Sequence, residues 1–183
     1  MRVISGILKG RVIDGFNIEG TRPTMDRVKE SIFSIIQNYV KGSITLDLFS
    51  GSGNLGIEAI SNGSNKCYFI DNNKICINVI NSNINKLNIK DKSVVIKEDY
   101  NNVLNYFYKN NIKFDLIFLD PPYKNLVIDN IVKYILEKNL INKNGLIICE
   151  YENSEIKKDY NELEIFKDKK YGSKLVTIFK KSF

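Results

Sequence analysis

Ile44-Thr45-Leu46-Asp47-Leu48-Phe49-Ser50-Gly51-Ser52-Gly53-Asn54-Leu55-Gly56-Ile57 is the stretch on which the fold turns. The short apolar run Ile44–Phe49 stops at Gly51-Ser52-Gly53, and helical spacing takes over through Leu55–Ser61. That order predicts a buried strand, a tight turn and a helix. Downstream the alternation repeats: strand Cys67–Ile70, helix Ile75–Leu87, strand Ser93–Lys97, helix Asn101–Tyr108, strand Phe114–Leu119, helix Ile128–Lys138 and strand Leu146–Tyr151. Strands alternating with helices of this length imply β-α-β units, hence an α/β fold with a doubly wound, mainly parallel sheet.

Both ends depart from that rhythm. Residues 1–13 alternate loosely around Gly6 and Gly10 and read as a small β-hairpin. A loop, Thr21-Arg22-Pro23-Thr24, comes next, and Asp26 can cap a helix running to about Val40, with Val28, Ile32, Ile35, Ile36 and Tyr39 on one face. At the other end, Leu163–Phe166 and Leu175–Phe179 flank Tyr171-Gly172 and suggest a hairpin adding antiparallel strands at a sheet edge. No repeat or linker divides the 183 residues, so a single domain over 1–183 is expected, with 1–24 as an N-terminal arm.

Composition removes several chemistries. The chain has no histidine, which rules out imidazole bases and Ser-His-Asp triads. Cys67, Cys76 and Cys149 form no C-x-x-C pair and sit among apolar neighbours, so buried reduced thiols and no metal centre are expected. No stretch approaches the roughly 20 apolar residues of a membrane span, and the first ten residues lack a signal-peptide core, which makes the cytoplasm the expected location. The net charge is +6. All four arginines, Arg2, Arg11, Arg22 and Arg27, fall in the first 27 residues. Arginine's planar fork suits phosphates and guanine edges, so Arg2, Lys9, Arg11 and Arg22 are candidate RNA contacts.

In an open parallel sheet, ligands bind beyond the carboxyl ends of the strands. There the sequence places the Gly51-Ser52-Gly53 loop and then Asp71, Asp99 and Asp120. Gly51-x-Gly53-x-x-Gly56 followed by Asp71 matches the spacing of an adenosine-cofactor site, where glycines allow close approach and the acid meets ribose hydroxyls. Asp47 separates the possibilities. A carboxylate is poorly placed beside a pyrophosphate, but favours the ammonium and sulfonium of S-adenosylmethionine. Asp47 and the Gly51–Gly53 backbone would hold the methionine part, Asp71 the ribose, and Asp99 with Tyr100 the adenine; Phe49, Ser52 and Asn72 are assigned to the same cofactor site.

Leu119-Asp120-Pro121-Pro122-Tyr123 is the sharpest signal. Two prolines fix the backbone and remove two donors, leaving carbonyls free to accept. The Asp120 carboxylate and the Pro121 carbonyl can each take one N–H of an exocyclic amine, while Tyr123 can stack on a base. Asp120, Pro121, Pro122 and Tyr123 are therefore the candidate catalytic residues.

Asp120-Pro121-Pro122-Tyr123 resembles motif IV of the amino-methyltransferases, which act on adenine N6, guanine N2 or glutamine amides. The whole chain resembles the bacterial small-subunit ribosomal RNA guanine-N2 methyltransferase family. The resemblance runs through Arg2–Gly6, Lys9-Gly10-Arg11, Thr21–Thr24 with Arg27, Val28, Glu30 and Phe33, Leu46–Ala59, Phe114–Tyr123 and Tyr171-Gly172. It implies a Rossmann-like, S-adenosylmethionine-dependent monomer acting on 16S rRNA in a small subunit or late precursor. One departure is Ser61-Asn62-Gly63-Ser64, where the family usually has Ser-Arg-Gly-Ala. A DNA adenine-N6 or protein glutamine methyltransferase is the nearest alternative reading. An NAD-dependent oxidoreductase rests on the glycine spacing alone, and a non-enzymatic RNA-binding module on charge.

Overall fold

The computed structural model describes residues 1–15, 22–122, 126–152 and 155–182, leaving aside the side chains of residues 22–25 and 126. Its elements are α1 Arg22–Val40, β1 Ile44–Asp47, α2 Asn54–Ser61, β2 Lys66–Asp71, α3 Lys74–Leu87, β3 Ser93–Lys97, α4 Tyr100–Lys109, β4 Phe114–Leu119, α5 Leu126–Glu137, β5 Ile141–Glu152, β6 Leu163–Tyr171 and β7 Lys174–Lys181. They build one seven-stranded sheet in the order β3-β2-β1-β4-β5-β7-β6. The first five strands run parallel, and β7 lies antiparallel between β5 and β6.

Side-chain alternation divides the core. Leu116 and Phe118 of β4 pack with Val28, Ile32, Phe33 and Ile36 of α1. Ile117 and Leu119 face the other way, into a cluster with Val103 and Phe107 of α4 and Ile131 and Ile135 of α5. Phe69 and Cys67 of β2 meet α2 and α3 through Ile57, Ile60, Ile80 and Ile84. Gly56 shows how close the helix–sheet approach is: a Cβ there would lie 2.3 Å from Phe69 Cε1 and 2.7 Å from Cys67 Sγ. The third glycine of the motif is thus required by packing between α2 and β2.

Several boundaries differ from the sequence reading. Helix α1 begins at Arg22, so Pro23 and Thr24 belong to its first turn rather than to a loop, and Asp26 is inside the helix instead of capping it. Proline is tolerated there because first-turn amides lack helical acceptors in any case. Residues 1–13 run antiparallel over one isolated bridge, Arg2 with Val12, and form no strands of hairpin length. β5 starts at Ile141, five residues earlier than expected, across a register shift opposite Phe114 and Leu116. The hairpin strands β6 and β7 are longer than their apolar segments. Cys67 and Cys149 are buried, whereas Cys76 is half-exposed.

Side chains, rather than strand pairing, hold the N-terminal arm. Lys29 of α1 and Glu58 of α2 form an ion pair at 3.0 Å with 2% and 1% of their side chains exposed. Lys29 Nζ also donates to the Arg2 carbonyl at 2.8 Å and to Asn54 Oδ1 at 2.7 Å. The Glu58 carboxylate accepts the Ile4 and Ser5 backbone N–H groups and the Ser5 hydroxyl. Buried Asn83 of α3 accepts the Asp14 N–H and donates to the carbonyls of Asp14 and Ser52. Asn62, at the departure from the family pattern, donates to Ser5 Oγ and to the Glu58 carbonyl, so it too holds the arm.

Removing one member of a buried ion pair leaves the other charged and uncompensated. Lys29→Met is therefore expected to lower folding stability by about 3–5 kcal/mol. Urea unfolding of the purified protein tests this; a midpoint equal to the parent's would show that the pair carries no such constraint.

Candidate active site

One cavity of about 740 Å³ opens at the carboxyl ends of β1, β2, β3 and β4. β1 is flanked by β2 on one side and β4 on the other, which makes it the point where strand order reverses. A crevice forms at such a switch because the connections leave in opposite directions. The cavity is lined by Asp47, Phe49, Gly51, Ser52, Asp71, Asn72, Asp99, Tyr100, Asp120, Pro121 and Pro122, bringing together most of the residues singled out in the sequence.

The loop after β1 is held at several points. Ser50 Oγ donates to the Asp47 carbonyl at 2.7 Å and accepts the Ile70 N–H at 2.9 Å, tying the ends of β1 and β2 together. Gly51 and Gly53 adopt φ of 54° and 82°, a region in which a Cβ is strained. Gly53 caps α2 and is not on the cavity wall, in contrast to its expected cofactor contact. Asp71 Oδ2 accepts the Gly51 N–H at 3.0 Å and its Oδ1 accepts the Asn73 N–H at 2.9 Å. Asp99 has a double position: it lines the cavity and caps α4 by accepting the Asn101 N–H. The Phe49 and Tyr100 rings stand 5.6 Å apart and give the cavity an aromatic wall.

Carboxylates are concentrated on the cavity floor. Asp47 is buried and accepts the Gly56 N–H at 3.0 Å. Burial pushes its carboxyl up to about 7, with Asp120 and Asp71 adding repulsion against the lowering pull of the Gly56 amide. Asp120, at the end of β4, is also raised by burial and by Glu152, against the pull of Lys174. Its side chain is nonetheless 40% exposed toward the cavity mouth, where it faces Lys174 Nζ at 3.8 Å. Lys174 reaches Glu150 Oε2 at 3.5 Å.

Some expected residues lie elsewhere. Arg2, Lys9 and Arg11 are exposed on the arm and do not line the cavity. Arg11 spends one guanidinium N–H on the Lys86 carbonyl at 3.0 Å. Met1 and Gly15 of the arm do reach the wall. Tyr123 lies outside the described residues, as does the Arg22 side chain. The sequence reading missed Lys29, Cys76, Glu150 and Lys174, all lining residues. The signal for Glu150 was present: an acid inside the apolar run Leu146–Tyr151 has no place in a core without a partner. Cys76 had none, because helical spacing gives its thiol no distinctive mark. Burial and then Asp71 push that thiol up to about 11.

A family model described as Conserved hypothetical protein 95 matches residues 1–180. The chain belongs to this family. It is 38% identical to the Bacillus subtilis protein YlbH over 99% of both chains. It is 35% identical to the Ribosomal RNA small subunit methyltransferase D of Haemophilus influenzae, covering 83% of this chain and 79% of that protein. A crystal structure from Haemophilus influenzae superposes with a TM-score of 0.82 at 28% identity, covering 100% of this chain and 98% of the other.

Asp71 can be tested as the support of the glycine loop. In Asp71→Ala the Gly51 amide loses its acceptor, a hydrogen bond to a charged group worth about 1.5–3 kcal/mol. Amide exchange at Gly51 should then accelerate by roughly tenfold or more. Unchanged exchange would mean that the loop is held without Asp71.

Proposed function

We propose that the protein transfers a methyl group from S-adenosylmethionine to the exocyclic N2 amine of a guanine in small-subunit ribosomal RNA. The single observation that carries this reading is the shared cavity. Asp120-Pro121-Pro122 lines it together with Asp47, Asp71 and Gly51-Ser52 of the glycine loop. Relatives across nearly the whole chain, including the small-subunit rRNA methyltransferase named above, support it.

The cavity residues suit this cofactor. A buried carboxylate with one N–H partner keeps acceptor capacity for an ammonium, which is what Asp47 offers. Asp71 accepts one N–H on each oxygen and retains lone pairs for ribose hydroxyls. The Phe49–Tyr100 wall offers an apolar face to adenine. A cavity of about 740 Å³ is of cofactor size. When bound, the cofactor supplies an electrophilic methyl group on a sulfonium. The protein supplies alignment and a proton acceptor.

A guanine amine is a weak nucleophile because its lone pair is delocalised into the ring. Asp120 and the Pro121 carbonyl hold its two protons, favouring a pyramidal nitrogen, and Asp120 takes the proton released. Tyr123 stacks on the base. The base must leave its stack to enter so narrow a site. Arg2, Lys9, Arg11 and Arg22 steer the RNA by its phosphates. The arm lines the cavity through Met1 and Gly15, so backbone contacts there would bring the base toward Asp120. The substrate is the small subunit or a late precursor of it, and the enzyme acts as a monomer in the cytoplasm.

The test is methyl transfer to small subunits from cells lacking the enzyme, followed by nucleoside analysis. N2-methylguanosine is expected from the parent, and Asp120→Asn should lower turnover by roughly 10²-fold or more, the range of general acid–base catalysis. S-adenosylhomocysteine should still bind this variant, showing that the fold and the cofactor end of the site survive the change. A methyl group on adenine N6, or an active Asp120→Asn enzyme, would overturn the reading.

Cofactor binding should also depend on pH. An ammonium beside Asp47 favours its ionised form, so the carboxyl is lowered in the complex from its free value of about 7. Below about 7 binding then releases a proton, and affinity rises with pH until Asp47 is already ionised in the free protein. Calorimetry with S-adenosylhomocysteine in buffers of different ionisation enthalpy measures the released proton. A flat affinity profile between about pH 5.5 and 8.5 would remove Asp47 from the ammonium site.

A further inference from the structure

β7 carries a lysine that the motifs of this chain do not announce. Lys174 follows the turn at Tyr171-Gly172, where Gly172 adopts φ of 62°. The Tyr171 hydroxyl meets Ser31 Oγ of α1, fixing the turn end of that hairpin against the helix. In the β5–β7 pairing Lys174 stands opposite Glu152, two residues beyond Glu150 on the same face of β5. From there its ammonium lies 3.5 Å from Glu150 Oε2 and 3.8 Å from Asp120 Oδ1. Its side chain is 21% exposed, and that of Glu150 only 6%.

We propose that Lys174, anchored by Glu150, is a positioning residue that keeps the Asp120 carboxylate ionised and aimed into the cavity. The inference rests on the reading of Asp120 as the acceptor for the target amine. It adds the device that makes Asp120 able to accept.

The charges around Asp120 show why such a device is needed. Asp47 of β1, and Glu150 and Glu152 of β5, place three further carboxyls near it. Desolvation and like charge both favour the protonated form of a carboxyl. The second ammonium on the cavity wall, Lys29 of α1, is already engaged by Glu58, Asn54 and the Arg2 carbonyl. That leaves Lys174 as the cation facing Asp120 among the described lining residues. Burial alone would lower the Lys174 ammonium, but Asp120 and Glu150 together hold it raised, so it stays charged.

Ionisation matters because of the proton balance of the transfer. As the N2–CH3 bond forms and the S–CH3 bond breaks, the sulfur keeps the bonding electron pair and the nitrogen gains positive charge. One N–H proton must then leave for an acceptor. An ionised Asp120 takes it; a protonated Asp120 cannot. Lys174 touches neither the base nor the cofactor in this scheme, and acts through Asp120.

Two measurements on the full-length protein test the proposal. The first is carboxyl 13C NMR titration of the ligand-free protein, with the Asp120 signal assigned by its loss in Asp120→Asn. Lys174→Met should move the Asp120 midpoint upward by about one pH unit or more, and Lys174→Arg should restore most of it. The second is the single-turnover rate of methyl transfer to undermethylated small subunits against pH. In Lys174→Met the acid limb should shift upward, so that a rate reduced roughly tenfold near pH 7 recovers near pH 9. S-adenosylhomocysteine binding checks folding, and Lys174→Gln replaces Lys174→Met if the latter fails that check. An Asp120 midpoint that does not move in either neutral variant overturns the proposal, and so does a rate lost equally at all pH values. An active Asp120→Asn enzyme would instead overturn the reading of Asp120 itself.

Discussion

The adjacency of β1 and β4 governs everything at the active end of this molecule. The register places Asp47 opposite Phe118, so β4 needs only two more residues to bring Asp120 to the same rim. β2, on the other flank of β1, delivers Asp71. Three acids from three neighbouring strands therefore converge by strand geometry, with no long loop to order. Carboxyl ends of parallel strands all point one way, and only at a reversal of strand order do the helices part enough to admit a ligand. The aromatic pair Phe49–Tyr100 and the glycine loop fill out a cavity whose position is set by topology.

That convergence costs stability, because buried carboxylates repel and are poorly solvated. The molecule offsets it in two ways. Asp71 accepts the Gly51 N–H of the glycine loop and Asp47 the Gly56 N–H in the first turn of α2, so acid and backbone conformation support each other. Asp120 and Glu150 share one ammonium from β7, which brings the antiparallel hairpin to the cavity wall as well as to the sheet edge. A third buried acid, Glu58, is paired with Lys29 and spends its remaining acceptors on the arm. The arm is thus bolted to α1 and α2 by charge-assisted hydrogen bonds, which in a dry setting are among the stronger local ties.

How much of this could be read from residues alone depends on the range of the signal. β3 and β4 match their expected spans because a short run of β-branched and aromatic residues bounded by polar ones has little freedom to be anything else. β5 extends back through Asn142-Lys143-Asn144 because Ile141 pairs with Phe114 ahead of a register shift and Asn142 donates to Asp115 Oδ1, ties to β4 that local propensity does not reveal. Pro23 marks a helix start because a proline at the first turn and a proline in a loop look alike in sequence. Asp47, Asp71, Asp99 and Asp120 were legible since each closes a strand. Lys29 and Lys174 were not, since each gains its meaning from a partner on another element, and Glu150 showed only that some partner was needed. Lys29 carried a trace all the same: with Phe33, Ile36 and Val40 it keeps helical spacing on the buried stripe of α1, where an unpaired ammonium could not remain.

The arm and the two ammonium groups point to a division of labour along the cavity. Lys29 sits where α1, α2 and the arm meet, and its charge is consumed in holding them together. Lys174 lines the cavity from β7, paired with two acids and partly exposed. A lysine sealed at 2% exposure can act only as structure, whereas one with 21% of its side chain accessible can respond when a ligand changes the charge beside it. A positive charge placed beside Asp47 would relieve the floor of part of its mutual repulsion, and through Asp120 and Glu150 that relief reaches Lys174. Charge beside Asp47 and the ionisation of Asp120 are therefore linked by electrostatics. Neither a moving loop nor a long pathway is required for that linkage.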